Sequence, residues 1–291
     1  MCLGKNLKWI AVIFLMAISP YAFAQDQEAS MPYGHNAKAG KYAHINGIKF
    51  YYETYGTGDP LVLIHGNGDN IAGMAAQIDY FSGKYRVIVA DSRGHGNSGM
   101  GEGPLNYAQM MEDWNSLLNQ LKITNANIFG WSDGGIIGLL LAIKHPDKVG
   151  KLAIMGANLR PDGTAIQAWV KPLLNRAVKH VDDMSAKQDT SENWATQRQL
   201  LNLLITQPHI DVTSLHQIKA PVLVMAGDRD VIKLEHTVEI FQNIKKSNLA
   251  ILPGNTHFAP ANTPDKLNNL LNDFFTKPFT MPTTEAIMEP H

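Results

Sequence analysis

Ser132, Asp230 and His257 occupy sequence settings that suit nucleophilic catalysis. Ser132 lies in GWSDGG (130–135), after the apolar pair Ile128-Phe129 and before the helical pattern DGGIIGLLLAIKH. A strand that passes directly into a helix must turn sharply, and a serine at that turn holds its hydroxyl out at the strand's carboxyl end. Gly130 and Gly134 flank it where the two backbones would crowd, completing G-x-S-x-G. The helix N-terminus adds a free N–H and a positive partial charge where an oxyanion would develop.

A serine hydroxyl needs a base, and the base needs an acid to orient it. Among eleven histidines, His257 in LPGNTHFAP falls between the last strand pattern and the last helix pattern, at the same sheet edge as Ser132. His209, His216 and His236 lie on or near helical segments and connectors, where a solvated histidine is the ordinary expectation. VLVMAGDRDV offers two acids in one loop. Asp230 is preferred for its reach toward a neighbouring strand's loop, with Asp228 as the alternative.

The other wall of an oxyanion hole is expected from LVLIHGNGDN, where glycines let backbone N–H groups face a ligand. The N–H groups of Asn67 and Asp133 are assigned as the two donors, and His65 is expected to hydrogen-bond within its loop. Trp131 and Asp133 are the candidate substrate contacts. The Asp133 carboxylate has two readings, a cap for the helix it opens or a partner for a cationic substrate group, and the cap is preferred. Trp131, Trp169, Trp194 and the leucines of residues 158–210 either line an apolar acyl or alcohol pocket or form packing of their own.

These residues meet only if the intervening elements bring strand ends together. YAHINGIKFYYETYG reads as a hairpin turning at Asn46-Gly47. Apolar strands follow at Leu61–Ile64, Arg86–Ala90, Asn127–Phe129, Leu152–Met155, Val222–Ala226 and Leu249–Leu252. Runs this rich in Val, Ile and Leu suit strands buried on both faces of a parallel sheet. Helical patterns near Tyr107–Leu121, Gly134–His145, Leu234–Asn243 and Pro264–Phe275 alternate with them, which implies an α/β layered fold with helices on both faces. Residues 158–210 carry no strand pattern and read as several short helices forming a cap. The core is expected over 41–157 and 211–276, with a flexible segment at 25–40 and a loosely ordered tail at 277–291.

Composition excludes several classes of function. With 25 Lys and Arg against 26 Asp and Glu, no basic field exists to concentrate nucleic acid or anionic lipid. Residues 1–24 have Lys5 and Lys8 in a basic head, an apolar run from Trp9 to Ile18, and Ala22-Phe23-Ala24 before Gln25. This is the pattern of a secretory signal cleaved after Ala24. The run is too short for the ~20 residues that span a bilayer, so no stable membrane insertion is expected after cleavage. The single cysteine, Cys2, would leave with the leader, and disulfides and thiol catalysis with it. GHGNSG (94–99) matches G-x-G-x-x-G but opens no helix, so a rigid turn is expected in place of a dinucleotide site. Neither a Walker A sequence nor H-E-x-x-H occurs.

His65-Gly66-Asn67, DSRGHGNS, GWSDGG, AGDRD and GNTHF occur in the order in which the α/β-hydrolase superfamily carries such markers, and the chain resembles that superfamily over about residues 41–276. GWSDGG and the small helical insertion are most similar to biphenyl-hydrolase-like proteins, which include valacyclovir-hydrolase-type esterases, and to enol-lactone and C–C bond hydrolases. The resemblance implies a mostly parallel eight-stranded sheet with a small helical cap. It also implies a Ser132–His257–Asp230 triad acting without a cofactor or metal. Superfamily members with an aspartate nucleophile are set apart by Ser132, and those that take the acid after the sixth strand by Gly156-Ala157-Asn158. A periplasmic or secreted serine hydrolase acting on a small carboxylic ester, lactone or thioester is therefore expected. C–C bond hydrolysis or cofactor-free perhydrolysis on the same triad, and a non-catalytic ligand-binding protein of the same fold, are the alternatives.

Overall fold

A computed structural model of the chain describes residues 32–288. The expected leader, its cleavage point and residues 25–31 lie outside the described residues. Eight strands form one sheet: β1 (Gly40–Ile45), β2 (Ile48–Tyr55), β3 (Pro60–Ile64), β4 (Arg86–Ala90), β5 (Ala126–Trp131), β6 (Val149–Met155), β7 (Val222–Arg229) and β8 (Ser247–Thr256). Their order is β1-β2-β4-β3-β5-β6-β7-β8. β1 and β2 are an antiparallel hairpin, β2 joins β4 antiparallel, and every pairing from β4 to β8 is parallel. The hairpin turns at Asn46 (φ 42°) and Gly47 (φ 78°), the left-handed pair that an Asn-Gly turn supplies.

Period-two alternation divides the core. Val62 and Ile64, Ile88 and Ala90, Ile128, Leu152 and Ile154, and Val222 and Val224 face one layer. Their neighbours Leu61 and Leu63, Val87 and Val89, Phe129, Ala153 and Met155, and Leu223 and Met225 face the other. The first layer is covered by α2 (Tyr107–Gln120), α3 (Asp133–Lys144) and α6 (Leu234–Gln242), the second by α1 (Ala75–Phe81) and α8 (Pro264–Thr276). A short α7 (Ala259–Asn262) precedes α8. Among the described residues, no helix is long and apolar enough to cross a membrane.

Two local expectations are corrected. The insertion holds two helices, α4 (Val170–Ala186) and α5 (Trp194–Thr206), in place of several short ones. Pro172 lies in the first turn of α4, where it breaks no helix, and the Asn193 side chain caps α5 by accepting from the Thr196 N–H. In the segment expected to be flexible, Gly34 and Asn36 each donate a backbone N–H to Glu53 at 3.0 Å. Glu53 is fully buried and also accepts the Tyr51 and Tyr55 hydroxyls, so its need for donors holds the segment down. The tail carries a short helix, α9 (Thr284–Met288), which leaves Ile287 and Met288 exposed.

Two buried histidines join the loops that leave β3 and β4. The Ser92 N–H donates to His65 Nε2 (2.9 Å), and His65 Nδ1 lies 2.7 Å from the Gly66 carbonyl. The Gly68 N–H donates to His95 Nε2 (3.0 Å), and His95 Nδ1 lies 3.0 Å from the Arg93 carbonyl. Each ring accepts at Nε2 and must therefore be neutral, with its proton on Nδ1. Burial pushes the pKa values down to about 4 for His65 and about 3 for His95. In the same region Asp91 accepts from Ile71 and Asn97 N–H groups, and Arg93 makes a bidentate, buried pair with Asp113. GHGNSG is thus a braced turn, and the next helix begins only at Tyr107.

Between the unfolded value of ~6.5 and these depressed values, the unfolded chain binds protons that the native chain does not. The stability contributed by these rings is therefore full above pH ~6.5 and is lost as the pH falls toward 4 and 3. His95→Gln keeps an acceptor for Gly68 and a donor for Arg93 without titrating. Thermal melts from pH 7 to pH 4 should show a smaller fall in Tm for this variant than for the wild type, by several degrees at ~2–4 °C per kcal/mol. Parallel curves would contradict the assignment.

Candidate active site

Ser132 is the residue between β5 and α3, at φ 55° and ψ −116°. Its N–H donates to the Met155 carbonyl of β6 (2.8 Å), and its own carbonyl accepts from Gly135 and Ile136. The turn requires both flanking glycines. A Cβ on Gly130 would stand 2.2 Å from the Gly134 carbonyl oxygen, and one on Gly134 would stand 2.1 Å from that of Ile64. Ser132 is the N-cap residue of α3, yet its side chain makes no capping bond. The hydroxyl is used elsewhere: Oγ lies 2.9 Å from His257 Nε2.

His257 Nδ1 lies 2.7 Å from Asp230 Oδ1 on the opposite side of the ring. Both residues are buried, His257 at 6% and Asp230 at 4% exposure. Asp230 also accepts from the N–H groups of Ile232 (3.0 Å) and Gly227 (3.4 Å). Burial opposes its ionisation, but His257 and those hydrogen bonds hold its carboxyl below the ordinary value. Burial likewise opposes charge on His257, and the Asp230 and Asp133 carboxylates outweigh it, raising the imidazole above its ordinary value. Asp228, the alternative acid, accepts from the Asn255 N–H and so braces the loop that carries the histidine. Gly156 completes the seat: a Cβ there would stand 2.6 Å from His257 Nδ1. Only its φ of 66° and lack of a side chain admit the pair, a requirement the sequence reading passed over.

The loop after β3 approaches the serine directly, since a Cβ on Gly66 would lie 3.2 Å from Ser132 Cβ. Among the described residues, neither the Asn67 N–H nor the Asp133 N–H donates to a protein acceptor. The Asp133 carboxylate is not a helix cap. It is the first residue of α3, and it points to Tyr107, whose hydroxyl donates to Oδ1 (2.7 Å), and to Asn67, whose Nδ2 donates to Oδ2 (3.0 Å). Tyr107 went unnoticed because nothing local connects it to a residue 26 positions away.

Trp131, the residue before Ser132, is 6% exposed. It is buried in the second core layer, and its indole N–H donates to the His257 carbonyl (2.8 Å), so it supports the histidine loop from beneath. Trp194 donates to Asp189 and meets His180 edge-on, within the insertion's own packing, whereas Trp169 is 54% exposed. The insertion reaches the acid loop through an Ile166–Ile232 bridge and a Gln167 N–H to Val231 carbonyl bond. His236, expected to be solvated, is buried. Its Nε2 accepts from the Leu159 N–H (2.9 Å) and its Nδ1 faces Glu239 (2.8 Å), which fastens the start of the insertion. Among the described residues, no cluster of three or more His, Cys, Asp or Glu is placed to hold a metal ion.

Residues 59–179 match the model of a family described by its alpha/beta hydrolase fold. The 3-oxoadipate enol-lactonase 2 of Acinetobacter baylyi is 30% identical over 249 residues, covering 76% of this chain and 91% of the relative. The serine hydrolase BPHL of Homo sapiens is 26% identical, covering 90% and 94%. A crystal structure of the enol-lactonase from Burkholderia xenovorans superposes with a TM-score of 0.68 at 24% identity, covering 81% of this chain and all of that one. The eight-stranded sheet, the serine at its strand-to-helix turn and these likenesses agree: the chain belongs to the alpha/beta hydrolase family.

Proposed function

We propose that this hydrolase is a serine esterase that cleaves a small carboxylic ester, lactone or thioester through an acyl-enzyme. The observation that carries this reading is the unbroken relay from Ser132 Oγ to His257 Nε2 (2.9 Å) and from His257 Nδ1 to Asp230 (2.7 Å). His257 removes the Ser132 proton as Oγ attacks the carbonyl carbon, and Asp230 stabilises the imidazolium that forms. The oxyanion is received by the Asn67 and Asp133 N–H groups at the positive end of α3. His257 then protonates the leaving alcohol. Water, activated by the same ring, attacks the acyl-enzyme and restores the Ser132 hydroxyl. Side chains handle every proton in this cycle, so it calls on no cofactor. The leader pattern of residues 1–24 supports a periplasmic or secreted enzyme.

A second reading, hydrolysis of a C–C bond on the same triad, is favoured by one relative. The 2-hydroxy-6-oxononadienedioate/2-hydroxy-6-oxononatrienedioate hydrolase of Escherichia coli is 26% identical and covers 79% of this chain. Turnover of p-nitrophenyl esters without turnover of vinylogous diketones separates the two.

Ser132→Ala should lower kcat for a p-nitrophenyl ester by ~10⁴-fold or more and abolish labelling by a fluorophosphonate, with the circular dichroism spectrum unchanged. Full activity in that variant is incompatible with the mechanism. His257 must be neutral to accept a proton, and the carboxylates beside it raise its pKa. The rate should therefore climb with pH along a limb centred above the ordinary histidine value of ~6.5. A flat profile from pH 5 to pH 8 would remove His257 as the base.

A further inference from the structure

One buried carboxylate in the site has no part in that cycle beyond its backbone. Asp133 is 2% exposed, follows the nucleophile directly, and has both oxygens engaged by Tyr107 and Asn67. Burial raises its pKa to about 6 against the pull of Tyr107, Asn67 and His257, and the two side-chain donors on its oxygens favour the charged form. An enclosed charge of this kind is tolerated only while its donors stay in place.

Those donors have a consequence for geometry. Asn67 and Asp133 carry the two N–H groups assigned to the oxyanion hole, one on a glycine-flanked loop and the other on a helix. Their side chains bond the loop to the helix at 3.0 Å. Asn67 Nδ2 also reaches the Leu200 carbonyl of α5 at 3.3 Å. The other donor is tied to the same helix, since the Tyr107 N–H donates to Gln207 at the end of α5 and the neighbouring Leu105 N–H donates to Gln199 within it.

We propose that Asp133 is a positioning residue: its side chain, clasped by Asn67 and Tyr107, fixes the two oxyanion N–H donors against each other and against helix α5. The oxyanion hole is then fully set only when α5 is seated. The inference rests on the serine-esterase reading. It assigns the carboxylate an inward role, so a cationic substrate group is not its partner.

The charge has a second effect. His257 faces Asp230 from the β7 loop and Asp133 from α3, while Asp133 faces Tyr107 from α2 and His257 from the β8 loop. Removing the Asp133 charge takes away one of the two carboxylates that make His257 more basic.

The test uses full-length wild type, Asp133→Asn, Tyr107→Phe and the double variant. Each is assayed with p-nitrophenyl acetate and with the p-nitrophenyl ester of an amino acid bearing a free ammonium. Complete loss of an oxyanion donor costs ~10²–10³-fold in kcat, and a misplaced pair should cost less, ~10–100-fold in Asp133→Asn and ~10-fold in Tyr107→Phe. KM should stay within about threefold, since the hole acts on the transition state. The double variant should be no worse than Asp133→Asn, because both break one network. The acid limb of Asp133→Asn should move to lower pH, a change that a merely structural role would not produce.

Wild-type kcat in folded Tyr107→Phe, additive losses, or a loss confined to the cationic ester would each overturn the proposal. Should Asp133→Asn fail to fold, Tyr107→Phe, which keeps its ring, decides alone. Fluorophosphonate labelling of the wild type separates the two levels. An unlabelled Ser132 overturns the esterase reading itself, whereas a labelled Ser132 with inert network variants overturns only the positioning role.

Discussion

The site depends on one close approach, that of β5 to α3 around Ser132. A non-glycine residue at φ 55° and ψ −116° is strained, at a cost of roughly 1–3 kcal/mol, and persists only where its surroundings leave no alternative. Here the surroundings are backbone. Gly130 and Gly134 let the Gly134 and Ile64 carbonyls come within what would be Cβ contact, and the Met155 carbonyl holds the Ser132 N–H. Parallel pairing of β3, β5 and β6 brings the Ile64 and Met155 carbonyls into register. The sheet therefore sets Ser132, and its hydroxyl, relieved of capping duty, is left for the histidine.

Charge is arranged around the same point. His257 is enclosed and would by burial alone resist protonation, but it lies between two carboxylates that reverse the balance. The two do different work. Asp230 bonds to the ring and is itself held ionised by backbone N–H groups, while Asp133 acts through space and spends its hydrogen bonds on Tyr107 and Asn67. The buried imidazoles of His65 and His95 are kept neutral because backbone N–H groups occupy their Nε2 atoms. The imidazole positioned to exchange protons with Ser132 is thus the one whose Nε2 meets a hydroxyl.

Much of this was legible in residue types alone, and the reasons are physical. Strands buried on both faces are near-continuous apolar runs, so the inner strands of the parallel sheet stood out, as did the Asn46-Gly47 turn. The strand-to-helix elbow at Ser132 was visible because its glycines are needed within four residues of one another. What escaped notice depends on contacts distant in sequence or on signals too short to show a period. Helix α1 is AAQIDYF, less than two full turns of which only Gln77, Ile78 and Phe81 are buried. In α4 only Val181 is buried, so its length could not be read from an apolar face. Asp133 obeyed a local rule, acid at a helix start, that tertiary donors overrode. The choice of Asp230 over Asp228 turned on how the end of β7 bends, which places one carboxylate at the His257 ring and the other on the Asn255 N–H.

The insertion is attached where it touches these groups. It departs and returns at Leu159 and Ile210, which are bonded to each other at 2.9 Å, so the excursion is closed at its neck and the sheet does not feel its length. His236 holds that neck from within the core. Beyond it, α5 buries Leu200, Leu201 and Leu203 and meets Asn67, while residues 165–167 meet the loop that carries Asp230. Helix α4 packs on α5 and buries little else. The insertion therefore touches the Asp230 loop and the Asn67 loop together, whereas the serine turn is bracketed by β3, β5 and β6. The sheet alone holds the serine turn, and the Asn67 and Asp230 loops are held by the sheet and the insertion jointly.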